Sequence, residues 1–232
     1  MQFNRTPLLL IILVALTFLQ CDTEKLAPDE ARVGFSYFPL EVGRYRIYDA
    51  REITYSILSF DTTNFQLMEA VVDSFSNQEN TITYILNRSI RSDENDPWEL
   101  DSVWTARRTP QQAIVTENNV PFLKLVFPVK ERQPWDGNLL NTREEDPYEI
   151  TALNEALTLI EDDPFSVLTV EQSNEDDLTK VDRRFETYAQ DIGLVIKEST
   201  ILRFCTESDC LGQNIIEQGR SFRISLLEYG KN

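Results

Sequence analysis

Chemistry in this chain has to proceed without histidine, because none occurs among its 232 residues. That absence removes the imidazole general base, the Ser-His-Asp and Cys-His pairs, and histidine ligation of zinc, copper, iron or nickel. The remaining candidates are three cysteines and a set of carboxylates. Cys205 and Cys210 enclose Thr206-Glu207-Ser208-Asp209, a spacing suited to a local disulfide. A redox pair normally has two residues between its cysteines, and no further cysteine is at hand to complete a zinc site. Closing so short a loop contributes about 2 kcal/mol on the chain-entropy model, enough to pin a hairpin tip.

Carboxylates cluster at Asp93-Glu94-Asn95-Asp96, Glu144-Glu145-Asp146, Glu161-Asp162-Asp163 and Glu175-Asp176-Asp177. Calcium takes six to eight oxygen ligands, yet none of these clusters has the Asp-x-Asp-x-Asp-Gly loop with a distal Glu, so they read as solvated loops. Glycoside hydrolysis would need two carboxylates about 5 to 9.5 Å apart across a cleft. Trp98, Trp104 and Trp135, with Tyr37, Tyr45, Tyr48 and Tyr55, could line a groove for a sugar or an apolar ligand, but strand aromatics belong more often to the core. The basic pair Arg107-Arg108 is expected to balance a neighbouring carboxylate rather than to hold an anion. No metal or cofactor is expected.

Cys21 belongs to a different kind of chemistry. Met1 to Gln20 has a short polar start with one cation, Arg5, and the apolar run Leu8 to Leu19. Twelve residues are too few for a helix that needs about 20 to span a bilayer, so residues 1–20 read as a secretory signal. A cysteine directly after the apolar segment resembles the lipobox of bacterial lipoproteins, with Gln20 and Phe18 as departures from it. In that pattern the thiol is diacylated, the signal is cut just before it, and the new amino terminus is acylated, as a palmitate or similar chain would do at Cys21. Buried methylenes contribute about 0.8 kcal/mol each, so such chains moor a soluble body without a protein span. Residues 21–32 then form the lipid-attachment cysteine and a flexible, acidic spacer. Acidic residues at that place resemble the surface-export signal of Bacteroidota lipoproteins. Cys205 and Cys210, left as an even pair, fit the same exported compartment.

The elements that position these residues are mostly strands. Short apolar and aromatic runs with two-residue alternation are broken by Asn, Asp, Pro and acidic clusters. Strands are expected at Arg44 to Ala50, Phe65 to Phe75, Thr81 to Arg88, Asp101 to Arg108, Gln112 to Thr116, Phe122 to Val129, Ser166 to Glu171, Arg183 to Gln190, Leu194 to Phe204 and Phe222 to Tyr229. Asp191-Ile192-Gly193 reads as a hairpin connection. Ile150, Leu153, Leu157 and Ile160 recur at helical spacing, which predicts one helix over Thr151 to Glu161, with a strand from Leu157 to Ile160 as the competitor. A faint echo links Phe38-Pro39-Leu40-Glu41-Val42-Gly43 to Phe127-Pro128-Val129-Lys130-Glu131, read as two similar strand-entry turns. The fold class is therefore mostly β: an antiparallel curved sheet, barrel-like or a sandwich, with one short helix, forming a single domain over 33–232.

Tyr37-Phe38-Pro39-Leu40-Glu41-Val42-Gly43, Phe127-Pro128-Val129-Lys130 with Trp135-Asp136-Gly137-Asn138, and Tyr188-Ala189-Gln190-Asp191-Ile192-Gly193-Leu194-Val195-Ile196-Lys197-Glu198 together resemble a group of uncharacterised Bacteroidota envelope lipoproteins. The resemblance implies an envelope address and a β-rich fold, and it carries no catalytic residue across.

The charge balance narrows the partners. With 39 acidic and 22 basic residues, the net charge of −17 has the wrong sign for phosphate backbones, which excludes nucleic acid. The expected partners are a membrane, through the lipid anchor at the outer membrane, and an envelope protein, with oligomeric state left open. The expected role is non-enzymatic binding or assembly. Two rivals are a lipocalin-like carrier of an apolar ligand, which requires an interior of about 300 Å³ or more, and a hydrolase using only carboxylates, which requires acids converging with raised pKa values.

Overall fold

Alternating inward and outward residues organise the described residues into twelve antiparallel strands. The computed structural model describes residues 30–76, 81–160 and 164–232; the leader, Cys21 and the acidic cluster at 161–163 lie outside them. After a helical turn, Glu30–Val33, and a 3-10 turn, Phe35–Tyr37, come β1 (Arg44–Ser56), β2 (Ser59–Ser76), β3 (Ile82–Arg91), β4 (Glu99–Arg108), β5 (Gln112–Glu117) and β6 (Val120–Val126). The second half holds β7 (Trp135–Asp136), β8 (Pro147–Leu157), β9 (Phe165–Asp176), β10 (Lys180–Ala189), β11 (Gly193–Phe204) and β12 (Ile216–Lys231). Among the described residues no helix is long and apolar enough to cross a membrane.

The strands lie in the order β6-β5-β4-β3-β2-β1-β12-β11-β10-β9-β8-β7. Two six-stranded meanders are thus joined through β1 and β12, which pair from Arg44↔Lys231 to Ser56↔Gln218. The sheet curls until its two edges nearly meet. Leu123 N–H donates to the Gly137 carbonyl at 2.9 Å, and the Trp135 indole donates to the Leu123 carbonyl at 3.1 Å. Of the barrel and sandwich alternatives, the structure takes the nearly closed barrel. Its turns follow residue type. Asn118 and Asn119 both adopt positive φ, 50° and 66°, in the two-residue β5–β6 connection, as a turn matching strand twist requires. Asp191 and Gly193, at 62° and 94°, make the expected β10–β11 hairpin.

All ten expected strands are present, generally longer than their apolar runs. The helix expected over Thr151 to Glu161 is absent: the chain there continues β8 to Leu157, so the competing strand from Leu157 to Ile160 is also displaced. The register of β8 on β9 shifts between Ile150 and Ala152 and again between Leu153 and Glu155, where Asn154 takes φ 59°. Each bulge adds one residue to a period of two. Ile150, Leu153 and Leu157 therefore reach apolar clusters at a spacing that imitates a helix.

The stretch just before the first echo segment meets the second echo segment in space. The Phe35 and Phe127 rings stand edge to face at 4.8 Å, and Val129 N–H donates to the Val33 carbonyl at 3.0 Å. A Cβ at Gly34 would meet Val129 Cγ2 at 2.4 Å, and its φ of 88° suits glycine, so the approach depends on that residue. Phe38 and Phe127 share one apolar cluster with Tyr37, Leu125 and Ile150; a second surrounds Tyr48, Val195 and Ile224.

Candidate functional site

Between these clusters the barrel interior remains open as a cavity of about 400 Å³, within the range of small-molecule sites. Inward side chains from β1 to β6 and β10 to β12 line it, which is what a closed sheet does with alternate residues. Phe38, Pro39 and Leu40 cover one end. At the other, Ile201 and Arg220, directly paired across β11 and β12, line the cavity while exposed to solvent, and so mark a mouth. A second cavity of about 640 Å³ adjoins the first and shares Arg88, Arg220 and Phe222 with it.

Two charged networks stand in the main cavity wall. In the first, Lys124 Nζ on β6 lies 2.8 Å from Glu117 Oε1 and 3.0 Å from Glu186 Oε1. Lys197 Nζ reaches the same Glu186 oxygen at 2.9 Å, and the Tyr188 hydroxyl donates to the other at 2.5 Å. Glu186 is only 1% exposed. Burial alone would raise its pKa, but the Lys124 and Lys197 ammonium groups and the Tyr188 hydroxyl outweigh burial and hold it below the usual carboxylate range. For Lys124, burial favours the neutral amine, yet Glu117 and Glu186 keep its pKa above that of a free lysine. Burial and the Glu186 charge push the Tyr188 phenol well up, so it stays protonated and donating.

The second network joins β1, β2 and β3. Glu69 accepts from Arg88 Nε at 3.0 Å and from Arg46 Nη2 at 3.4 Å; Arg46 also donates to the Ile192 carbonyl at 3.1 Å. The Arg88 guanidinium sits 3.8 Å above the Trp104 ring, a cation–π arrangement. Trp104 Nε1 is buried without a hydrogen-bond acceptor. Two guanidinium groups thus share one carboxylate.

The sequence-predicted residues fall elsewhere. Cys205 and Cys210 are joined as a disulfide in the loop between β11 and β12, with Cα atoms 5.8 Å apart. Lipidation at Cys21 lies outside the described residues. The acidic clusters within the described residues are turns and pairs: Asp93 receives the Asn95 N–H at 3.1 Å, Asp146 pairs with Arg184 at 2.7 Å, and Glu175 and Asp176 pair with Lys180 and Arg183. Tyr37, Tyr48 and Trp135 are core, whereas Trp104 lines the cavity. Arg108 departs from expectation, since it donates to the Phe35 and Phe38 carbonyls, at 3.0 and 3.1 Å, instead of balancing a carboxylate. The cavity passes the size set for a carrier, but its wall is mixed rather than apolar. Glu117 and Glu186 do converge, yet both pKa values lie low: for Glu117 as well, the lysines outweigh a burial effect that would raise it.

Apart from Trp104, the residues of both networks carry no motif that singles them out in the sequence. Their signal was a charge at an alternating position inside an apolar strand, as in Phe122-Leu123-Lys124-Leu125-Val126 and Val195-Ile196-Lys197.

No protein-family model matches the chain, and no curated protein matches it. Among solved structures it is similar to a candidate exported protein with a YmcC-like fold from Bacteroides fragilis, at 13% identity and a TM-score of 0.46, covering 84% of this chain and 98% of that one. It is similar also to a candidate lipoprotein from Parabacteroides distasonis, at 10% identity and a TM-score of 0.43, with the same coverage of both chains.

Proposed function

We propose that the protein is a lipid-anchored component of the cell envelope that binds a small ligand inside its barrel without transforming it. The cavity of about 400 Å³, closed at one end and open at Ile201 and Arg220, carries this reading. The anchor rests on the leader and Cys21. A binding role is supported by Glu117 and Glu186, which stay ionised and paired with lysines, whereas a carboxyl serving as general acid needs a raised pKa.

Native mass spectrometry of the full chain extracted from its own membranes tests both parts. Wild-type protein should begin at an acylated Cys21 and carry additional small-molecule mass, and Ala106→Trp, which fills the cavity from β4, should lose that mass with the anchor intact. Equal small-molecule content in the two proteins would defeat the binding role. A native chain retaining Met1 to Gln20, or a Cys21→Ser protein still held in the membrane fraction, would defeat the anchor.

A further inference from the structure

The main cavity has a charge character opposite to that of the whole chain. Five cations line it, Arg46, Arg88, Lys124, Lys197 and Arg220, against three carboxylates, Glu69, Glu117 and Glu186, in a protein of net charge −17. The lysines are matched by Glu117 and Glu186. Arg220 leans on Glu52, which lies outside the main cavity, at 2.6 Å, and remains 58% exposed at the mouth. The surplus that stays inside belongs to Arg46 and Arg88, which have Glu69 alone between them.

Uncompensated charge in a low-dielectric interior is costly and invites a counter-charge. Arg88 is placed to receive one. Glu69 engages its Nε, and its terminal nitrogens have no acceptor among the described residues. Directly beneath it the Trp104 indole N–H is a buried donor without a partner. A guanidinium whose terminal nitrogens have no protein acceptor and an indole N–H without a partner thus adjoin each other at the cavity, which Arg220 also lines. Along the rest of the lining, Leu86, Ala106, Phe222 and Ile224 offer apolar surface.

We infer that the cavity binds a small amphipathic anion, its carboxylate or phosphate head at Arg88, Trp104 Nε1 and Arg220 and its apolar body against Leu86, Ala106 and Phe222. This rests on the binding role proposed above and specifies its ligand class. Guanidinium suits either head, since its forked donors match both oxyanions.

Isothermal titration of the delipidated full-length protein with four ligands of one tail length, octanoate, octyl phosphate, octanol and octylamine, tests the inference, with inorganic phosphate as a head lacking a tail. Either octyl anion should bind at least about tenfold more tightly than octanol, as a charge-assisted pair requires, and inorganic phosphate should bind more weakly than octyl phosphate. Trp104→Phe, which keeps a ring and removes the N–H, and Arg220→Gln at the exposed mouth should each narrow the anion-to-alcohol ratio, with thermal melts confirming that both variants fold. Octanol or octylamine binding as tightly as the anions would overturn the anionic head while leaving the binding role intact. Inorganic phosphate binding as tightly as octyl phosphate would overturn the amphipathic body. Binding by none of the five would overturn this inference, and the binding role would then stand or fall on the small-molecule mass carried by the native protein.

Discussion

The two charged networks inside the barrel solve the same problem differently. Around Lys124, two lysines, two glutamates and a tyrosine satisfy one another, so the group is complete as folded. Around Glu69, two arginines compete for one carboxylate, and Arg88 and Trp104 keep donors in reserve. A matched buried cluster fixes structure, because every member is needed to offset the desolvation of the others. An unmatched one is poised toward something outside the chain. Position agrees with this division: both networks line the first cavity, but of their charged members only Arg88 also borders the second, and Glu186 is 1% exposed.

The comparison is broken most forcefully at Glu186. Glu186→Gln strands Lys124 and Lys197 around a neutral side chain and removes the acceptor best suited to the Tyr188 hydroxyl. Deleting one member of a buried ion group costs about 3–5 kcal/mol, which urea unfolding at neutral pH should register. A loss under about 1 kcal/mol would mean that the Lys124 group behaves like a surface pair and that the contrast is false.

Acid titration sharpens the same contrast with a smaller effect. Glu186 has a folded pKa below its ordinary value of 4.5, so its ionisation contributes stability that is fully present above the unfolded pKa. That contribution is lost as pH falls from there toward the folded pKa. The stability gap between wild type and Glu186→Gln should hold constant from pH 7 to about 5. Below about 4.5 it should shrink by about 1.4 kcal/mol per pH unit. A gap that stays level down to pH 3 would show that the lysines do not hold this carboxyl down.

Removing a member of the unmatched network should cost less. Arg46→Met leaves Arg88 and Glu69 as a neutral pair and deprives the Ile192 carbonyl of a donor. One unsatisfied acceptor then remains, worth about 1–2 kcal/mol. A loss matching that of Glu186→Gln would show that the Glu69 group is as structural as the Lys124 group.

How far each network could be read from sequence follows from the kind of signal it leaves. Alternation in Thr81 to Arg88 and Leu194 to Phe204 is local, and it exposed the strands and the mostly antiparallel fold. Strand β8 imitates a helix in sequence because its bulges, with Asn154 at positive φ, reset the local period. One ion pair is long-range: Lys124 meets Glu186 across 62 positions, and that meeting depends on barrel closure, for which no local pattern exists. Others, Glu69 with Arg46 and Arg88 and Glu186 with Lys197, are register partners on adjacent strands, so reading them requires the hairpin register and not only the strand positions. A lysine flanked by Leu123 and Leu125 signalled a covered charge but not its partner. The Cys205–Cys210 pair, by contrast, was legible because five residues of separation leave it little choice.

The smallest expected effect lies outside the barrel and sets the scale for the rest. Lys180 and Glu175 pair across the β9–β10 hairpin with side chains 48% and 57% exposed. Water screens them, and holding two long side chains in one geometry costs entropy, so an exposed pair contributes little. Lys180→Ala should therefore shift the urea midpoint only slightly, and the shift should fade in 1 M salt, where the screening length is about 3 Å. Salt reaches such a pair freely but not one sealed beneath Tyr188 and Lys124. The loss from Glu186→Gln should accordingly persist at the same ionic strength, and if both losses faded together the interior of the barrel would have to be as wet as its surface.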